Sequence, residues 1–189
     1  MNYGKYKNAR DASWLCIIDY NLCRLPIKVA DIAKQAGIMV LKYSELDKNR
    51  LSDGESGATF FEDDTIYIVY RDTESKERCR FTIAHELGHI FLGHKLIGDK
   101  ISRKFDLSKP EIEQEADIFA SRLLAPACVL WGLNLHTAKE IAAVCNISMP
   151  AAQARAERMK VLYKRNKFLT SPLERQVYKQ FKEFIEKYK

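Results

Sequence analysis

The sequence predicts an α+β fold: a small three-stranded sheet, antiparallel or mixed, packed on a mainly helical body. Two observations point there. Strand-like runs lie before residue 71 and helical periodicity dominates from Lys76 onward, an order typical of segregated strands and helices. In addition, apolar residues make up 47% and charged residues 30% of the 189 residues, enough to bury a core and too apolar for a disordered chain.

Residues Ala9 to Cys23 and Ile27 to Gln35 read as helices, the second closed by Gly37. A strand-like run, Ile38 to Tyr43, follows. Gly57 to Glu62 and Thr65 to Tyr70 are rich in β-branched and aromatic residues, and Asp63-Asp64 between them predicts a hairpin. From Lys76 the pattern is helical. It is interrupted by a polar loop from about Gly98 to Pro110 and by breaks near Pro126, Asn146 and Ser171-Pro172.

Charge and cysteine usage narrow the class. The net charge of +6 is confined to residues 160–189, where nine Lys or Arg face three Glu. These basic residues alternate with Leu162, Tyr163, Phe168, Leu169, Val177, Tyr178, Phe181, Phe184 and Ile185. That alternation predicts an amphipathic tail whose charged face is solvated, with nucleic acid or an acidic partner as the competing use. Cys16, Cys23, Cys79, Cys128 and Cys145 include no Cys-x-x-Cys pair, so free thiols in a reducing cytoplasm are expected. Neither a secretory signal nor a membrane span is expected. The longest uncharged stretch, Leu123 to Ala138, is interrupted by Pro126, Gly132 and Asn134.

The chemistry begins in Arg80-Phe81-Thr82-Ile83-Ala84-His85-Glu86-Leu87-Gly88-His89, which contains His-Glu-x-x-His. On a helix the two histidines are separated by about 40° and about 6 Å, so both imidazoles can reach one tetrahedral ion. Glu86 projects beside them. A carboxylate there is placed to act as general base, and it is expected on the solvent-open side of the ion. The competing reading is a pair of core-edge histidines satisfied by hydrogen bonds. A longer metzincin-type motif would need Gly at position 92 and His at position 95, where this chain has Leu92 and Lys95. His94, five residues past His89, lies about 140° around a continued helix and is expected to point elsewhere, near the negative end of the helix dipole.

A third ligand must come from another segment, and Glu111-Ile112-Glu113-Gln114-Glu115-Ala116-Asp117 is the dense carboxylate cluster downstream. At 100° per residue, Ile112, Ala116, Phe119, Ala120, Leu123 and Leu124 share one face. Glu113 lies roughly 60° from its centre and Glu115 roughly 100°, so Glu113 is the better candidate. Asp117, one turn later, is placed to accept the second N–H of a ligand histidine. An ordinary acidic helix start is the alternative.

These residues resemble the ImmA/IrrE-type metallopeptidases. The resemblance rests on the Arg80 to His89 run, preceded by a short hairpin, and on Glu113-x-x-Ala116-Asp117-x-Phe119-Ala120-x-x-Leu123-Leu124-Ala125-Pro126, covering roughly residues 25 to 160. It implies a zincin-like domain in which His85, His89 and Glu113 hold Zn2+ and Glu86 is the general base. The family pattern often has Asn where Asp117 stands and Met where Ala125 stands. Known members include proteases that cut a helix-turn-helix repressor of a phage, a mobile element or a stress response, which suggests that substrate class here.

The expected division is therefore a metallopeptidase domain over residues 1–126 and a helical segment over 127–189. In the latter, Thr137-Ala138-Lys139-Glu140 has the form of a capping box. Glu140 to Ser148 reads like the first helix and turn of a helix-turn-helix, with a second helix from Met149 to about Val161. Its early positions, Met149, Pro150, Ala151 and Ala152, are poor in groups that reach bases or phosphates, so packing or substrate docking is favoured over direct nucleic-acid binding. Two functions of different class remain: a cytoplasmic zinc endopeptidase acting on a specific repressor, and a non-catalytic DNA-binding or antirepressor protein using the C-terminal segment. Glu86 separates them, because a binding module has no use for a general base between two metal ligands.

Overall fold

The computed structural model describes residues 7–46, 50–94, 100–101 and 110–188, and it is α+β. Two compact units make up the chain: Lys28–Ala120, and Met1–Ile27 together with Ser121–Lys189. The N-terminal helix thus groups with the C-terminal helices, whereas the sequence expectation placed it with residues up to 126.

The first unit opens with α2 (Val29–Gln35), numbered in chain order after the N-terminal helix α1 (Lys7–Asp19). Among the described residues four strands follow: β1 (Met39–Lys42), β2 (Gly57–Glu62), β3 (Thr65–Tyr70) and β4 (Lys100–Ile101), in the order β1-β3-β2-β4. β1 runs parallel to β3, while β2 is antiparallel to both β3 and β4, so the sheet is mixed. The hairpin falls where the sequence put it, with Glu62 opposite Thr65. Asp63 and Asp64 both take positive φ, 48° and 57°, the conformation a two-residue type I′ turn requires. A fourth strand was not expected. β4 occupies two residues of the stretch read as a polar loop, the remainder of which lies mostly outside the described residues. Its pairing with Thr59 and Phe60 is a tertiary choice that such a short, polar run does not announce.

Side chains on one part of this sheet close a small core of Leu51, Ala58, Phe60 and Val69, with Leu41, Tyr43, Leu46 and Tyr67 packed against it. The long helix α3 (Lys76–Phe91) begins at Ser75, whose hydroxyl accepts a hydrogen bond from the Arg78 backbone N–H at 3.2 Å. It packs on β2 and β3, and every residue from Thr82 to His89 is buried.

Helix α4 (Pro110–Leu124) contributes its residues up to Ala120 to this unit. Of the face expected to be apolar, Ala116, Phe119 and Ala120 are fully buried and Ile112 half-buried. α3 and α4 meet at Gly88. A Cβ there would sit 3.1 Å from the Phe119 ring and 3.2 Å from both the Cα and the carbonyl oxygen of Ala116. Glycine lets the two backbones approach, and Phe91 packs on Phe119 just beyond, ring centroids 6.0 Å apart.

The second unit comprises α1, the end of α4, α5 (Ala127–Gly132), α6 (Ala138–Cys145), α7 (Met149–Arg165), α8 (Pro172–Gln180) and α9 (Lys182–Tyr188). The expected capping box is formed: the Thr137 hydroxyl accepts from the Glu140 N–H, and Glu140 accepts from the Thr137 N–H. Asn146 ends α6 in the left-handed region, φ 50°, and Ser148 caps α7 three residues after α6 ends. In the basic tail Val177, Phe181 and Ile185 recur every four residues and are buried, so its apolar face packs inward. Trp131 stacks on Phe168 at 5.2 Å. The Gln180 side-chain amide donates to the carbonyls of Ile17 and Leu22, at 2.8 and 2.6 Å, tying the tail to the end of α1.

Gly88→Val adds three carbons where even one is too close to the Ala116 backbone. It is expected to destabilise the protein by about 1–3 kcal/mol, the usual range for overpacking, read as a lowered denaturation midpoint. An unchanged midpoint would show that α3 and α4 separate freely.

Candidate metal centre

Because α3 places residues four apart on one face, His85 and His89 stack along it with ring centroids 4.7 Å apart. Their Nε2 atoms face each other at 2.9 Å. From α4, Glu113 closes the third side: one carboxylate oxygen lies 3.3 Å from His85 Nε2 and the other 3.0 Å from His89 Nε2. The potential ligand atoms of His85, His89 and Glu113 all lie within 4.8 Å of one another, and among the described residues these three form the group with the composition and spacing to hold a metal ion. Glu115, the competing carboxylate, does not join it.

Three features test whether a metal suits this group. In a tetrahedral site with bonds of about 2.0–2.1 Å, adjacent ligand atoms sit about 3.3 Å apart, close to the separations observed. Oε1 of Glu113 is buried and makes no well-formed hydrogen bond, although His89 Nε2 is 3.0 Å away. Finally, two nitrogens meeting at 2.9 Å are placed as lone-pair donors to a shared acceptor. Burial pushes the Glu113 carboxyl upward, but the facing imidazoles of His85 and His89 outweigh it and hold the group well below the usual carboxylate range. An anionic carboxylate beside two imidazoles is a donor set that fits a divalent ion.

The groups around the centre are as ordered as those in it. Asp117 Oδ1 lies 2.7 Å from His85 Nδ1, within reach of that ring nitrogen. Glu86 is 1% exposed, so the solvent-open placement anticipated from sequence is corrected: the helix turns this carboxylate toward the sheet. There the hydroxyl of Thr59, on β2 and itself fully buried, donates to Glu86 Oε2 at 2.8 Å. Thr59 carries no signal in sequence, since its role depends on β2 lying under α3.

His94 was expected to point away. Instead α3 ends at Phe91, and Gly93 adopts φ 66°. The Gly93 N–H bonds the Ile90 carbonyl at 3.1 Å and the His94 N–H bonds the His89 carbonyl at 3.0 Å, a Schellman closure. It folds His94 back so that its Nδ1 lies 2.9 Å from His89 Nδ1, with its Nε2 3.3 Å from Glu115. Burial, and then the neighbouring His89, hold the His94 imidazole below its ordinary range. Gly93 was the available signal, because a helix stopped there cannot carry His94 a further 140° round.

Other nucleophile chemistry finds less support here. The cysteines are free, and burial holds the thiols of Cys16 and Cys128 up at about 12, far from thiolate character.

The profile of Peptidase_M78, the IrrE N-terminal-like domain, matches residues 33–157, well over half of the chain. The protein belongs to this family. As a Peptidase_M78 member of the ImmA/IrrE type it is a metallopeptidase, and the family implies a metal. A comparison with curated proteins returns no match. In this Peptidase_M78 chain the matched stretch contains all of α3 and α4 and every residue of the centre described above.

Glu113→Gln removes the anionic member of this group and leaves its helix intact, so if the group holds a divalent ion the purified variant is expected to lose it, as is His89→Ala. Glu115→Gln should keep a bound ion. Metal analysis by atomic emission checks this, and loss of metal in the Glu115 variant alone would reverse the assignment of the third ligand.

Proposed function

We propose that the protein is a zinc-dependent endopeptidase that cleaves a specific helix-turn-helix repressor of a phage, mobile element or stress regulon. The observation that carries the reading is Glu86. It lies between two metal-facing histidines and is held by the Thr59 hydroxyl, an investment in orientation that a passive binding module does not need. His85, His89 and Glu113 would hold the ion, and two imidazoles with one carboxylate are a donor set suited to zinc. When bound, such an ion lowers the pKa of a water to about 7 and polarises the scissile carbonyl. With an ion held there, Glu86 would be the group that takes a proton from the attacking water at its carboxylate and returns it to the departing amine. Asp117 keeps His85 in the tautomer that leaves Nε2 available.

In this reading the unit Lys28–Ala120 carries the peptidase chemistry, and the helices beyond residue 126 serve packing or substrate docking. The family supports a protein substrate, and resemblance to repressor-cleaving members suggests the class. Five free cysteines accord with a reducing cytoplasm, and among the described residues no helix is long and apolar enough to cross a membrane.

The alternative, a non-catalytic DNA-binding or antirepressor protein, would use α6 and α7. Against it stands Arg155, the first basic residue of α7. Its guanidinium is turned inward and donates to the Ala125 carbonyl, Nε at 2.7 Å. Burial, followed by repulsion from Arg122, brings it down to about 9. A basic group buried in this way supports the fold and is not offered to a phosphate.

Glu86→Gln tests the proposal. Glutamine keeps an acceptor for Thr59 but cannot take the proton, so cleavage of a repressor encoded beside the gene should fall by about 10² to 10⁴. Stability should hold or rise, since a buried carboxylate is exchanged for a neutral amide of the same shape. If the variant cuts at the wild-type rate, or if the wild type binds the repressor without cutting it, the binding-module reading takes over. Casein should be cut poorly by the wild type under the same conditions; rapid, sequence-indifferent digestion would contradict a dedicated substrate.

A further inference from the structure

His89 has two ring nitrogens with different neighbours. Nε2 faces His85 and Glu113 in the centre; Nδ1 faces His94 Nδ1 at 2.9 Å. Two imidazole nitrogens at that distance form a hydrogen bond only if one bears the proton and the other a lone pair. For Nε2 of His89 to offer its lone pair to an ion, the proton must reside on Nδ1. His94 Nδ1 must then be the acceptor, which places the His94 proton on Nε2, and that nitrogen lies 3.3 Å from the Glu115 carboxylate. One tautomer assignment satisfies all three groups. It runs His89 Nδ1–H to His94 Nδ1, then His94 Nε2–H to Glu115 Oε2.

We propose that His94, backed by Glu115, is a positioning residue that fixes the tautomer and ring orientation of His89 through this two-step relay. The proposal rests on the metal-centre reading above and deepens it. His85 is backed directly by a carboxylate at 2.7 Å, whereas His89 is backed by a carboxylate through an intervening imidazole. The two ligands are therefore supported by different lengths of the same kind of chain. The Schellman closure at Gly93 is what makes the second chain possible, because it returns His94 to the ring one turn behind it. With a side chain only 9% exposed, His94 fits an internal support better than a surface contact.

The experiment compares wild type, His94→Phe and His94→Asn in the full chain, measuring zinc affinity by competition with a chromophoric chelator. Far-UV circular dichroism is recorded alongside, together with the visible spectrum of each protein loaded with cobalt. Phenylalanine keeps the ring and its packing but has no acceptor. Asparagine loses the ring yet can place Oδ1 near the site of the histidine Nδ1. Removing such a support typically weakens metal binding about 10- to 100-fold, so His94→Phe is expected in that range with altered cobalt bands, and His94→Asn within about threefold of wild type. Equal affinity for His94→Phe and wild type overturns the relay, as does an asparagine variant as weak as the phenylalanine one. Loss of helical signal in both would make His94 a packing residue and overturn it as well. A wild-type protein that binds no zinc would instead refute the metal-centre reading itself, which is a distinguishable result.

Discussion

The distance between two helix backbones governs the candidate centre. His85 and His89 come paired by helical geometry, but the third donor belongs to another helix, and a carboxylate on a short side chain reaches both imidazoles only if that helix lies close. Gly88 against Ala116 supplies the proximity. A glycine inside a helix costs about 1 kcal/mol relative to alanine, a weakness placed where the chain needs a small residue. Buried Ala116 and Phe119 against Gly88, with Phe91 on Phe119, then hold the approach with apolar contacts.

Polar groups buried at this density are tolerated only when each is answered. His85 meets Asp117, Glu86 meets Thr59, His89 meets His94, and His94 meets Glu115. Such a network stiffens the imidazoles, because a rotated ring would leave an unsatisfied nitrogen in a low-dielectric setting. Glu113 is the exception, with one buried oxygen lacking a well-formed hydrogen bond. The least satisfied atom of the cluster thus lies where the donors converge.

Features set by local periodicity were legible in the sequence. The Asp63-Asp64 hairpin, the helical pairing of His85 with His89, and the choice of Glu113 over Glu115 all follow from short-range geometry; the hairpin is formed, and the structure places His85, His89 and Glu113 close together. What escaped depends on contacts between elements or on where an element stops. Thr59 matters because β2 lies beneath α3, and the inward turn of Glu86 follows from the same packing. His94 was assigned by extending a helix past the glycine that ends it. β4 is too short to have a period at all, and the grouping of α1 with the tail depends on a partner more than a hundred residues away in sequence.

That last grouping bears on how the chain is made. The unit holding the centre is continuous, so its strands and helices can meet as they emerge from the ribosome. The other unit is assembled from both ends of the chain. Its helix α1, carrying Trp14, Cys16 and Ile17 that will be buried, precedes that continuous unit in the chain, yet the Gln180 amide that bonds its last turn follows the unit. Until then the side of α1 that carries Trp14, Cys16 and Ile17 lacks its cover, while the continuous unit can already close. Order of synthesis therefore leaves the buried side of α1 exposed until the segment carrying Gln180 has been made, an interval in which chaperones can shield it.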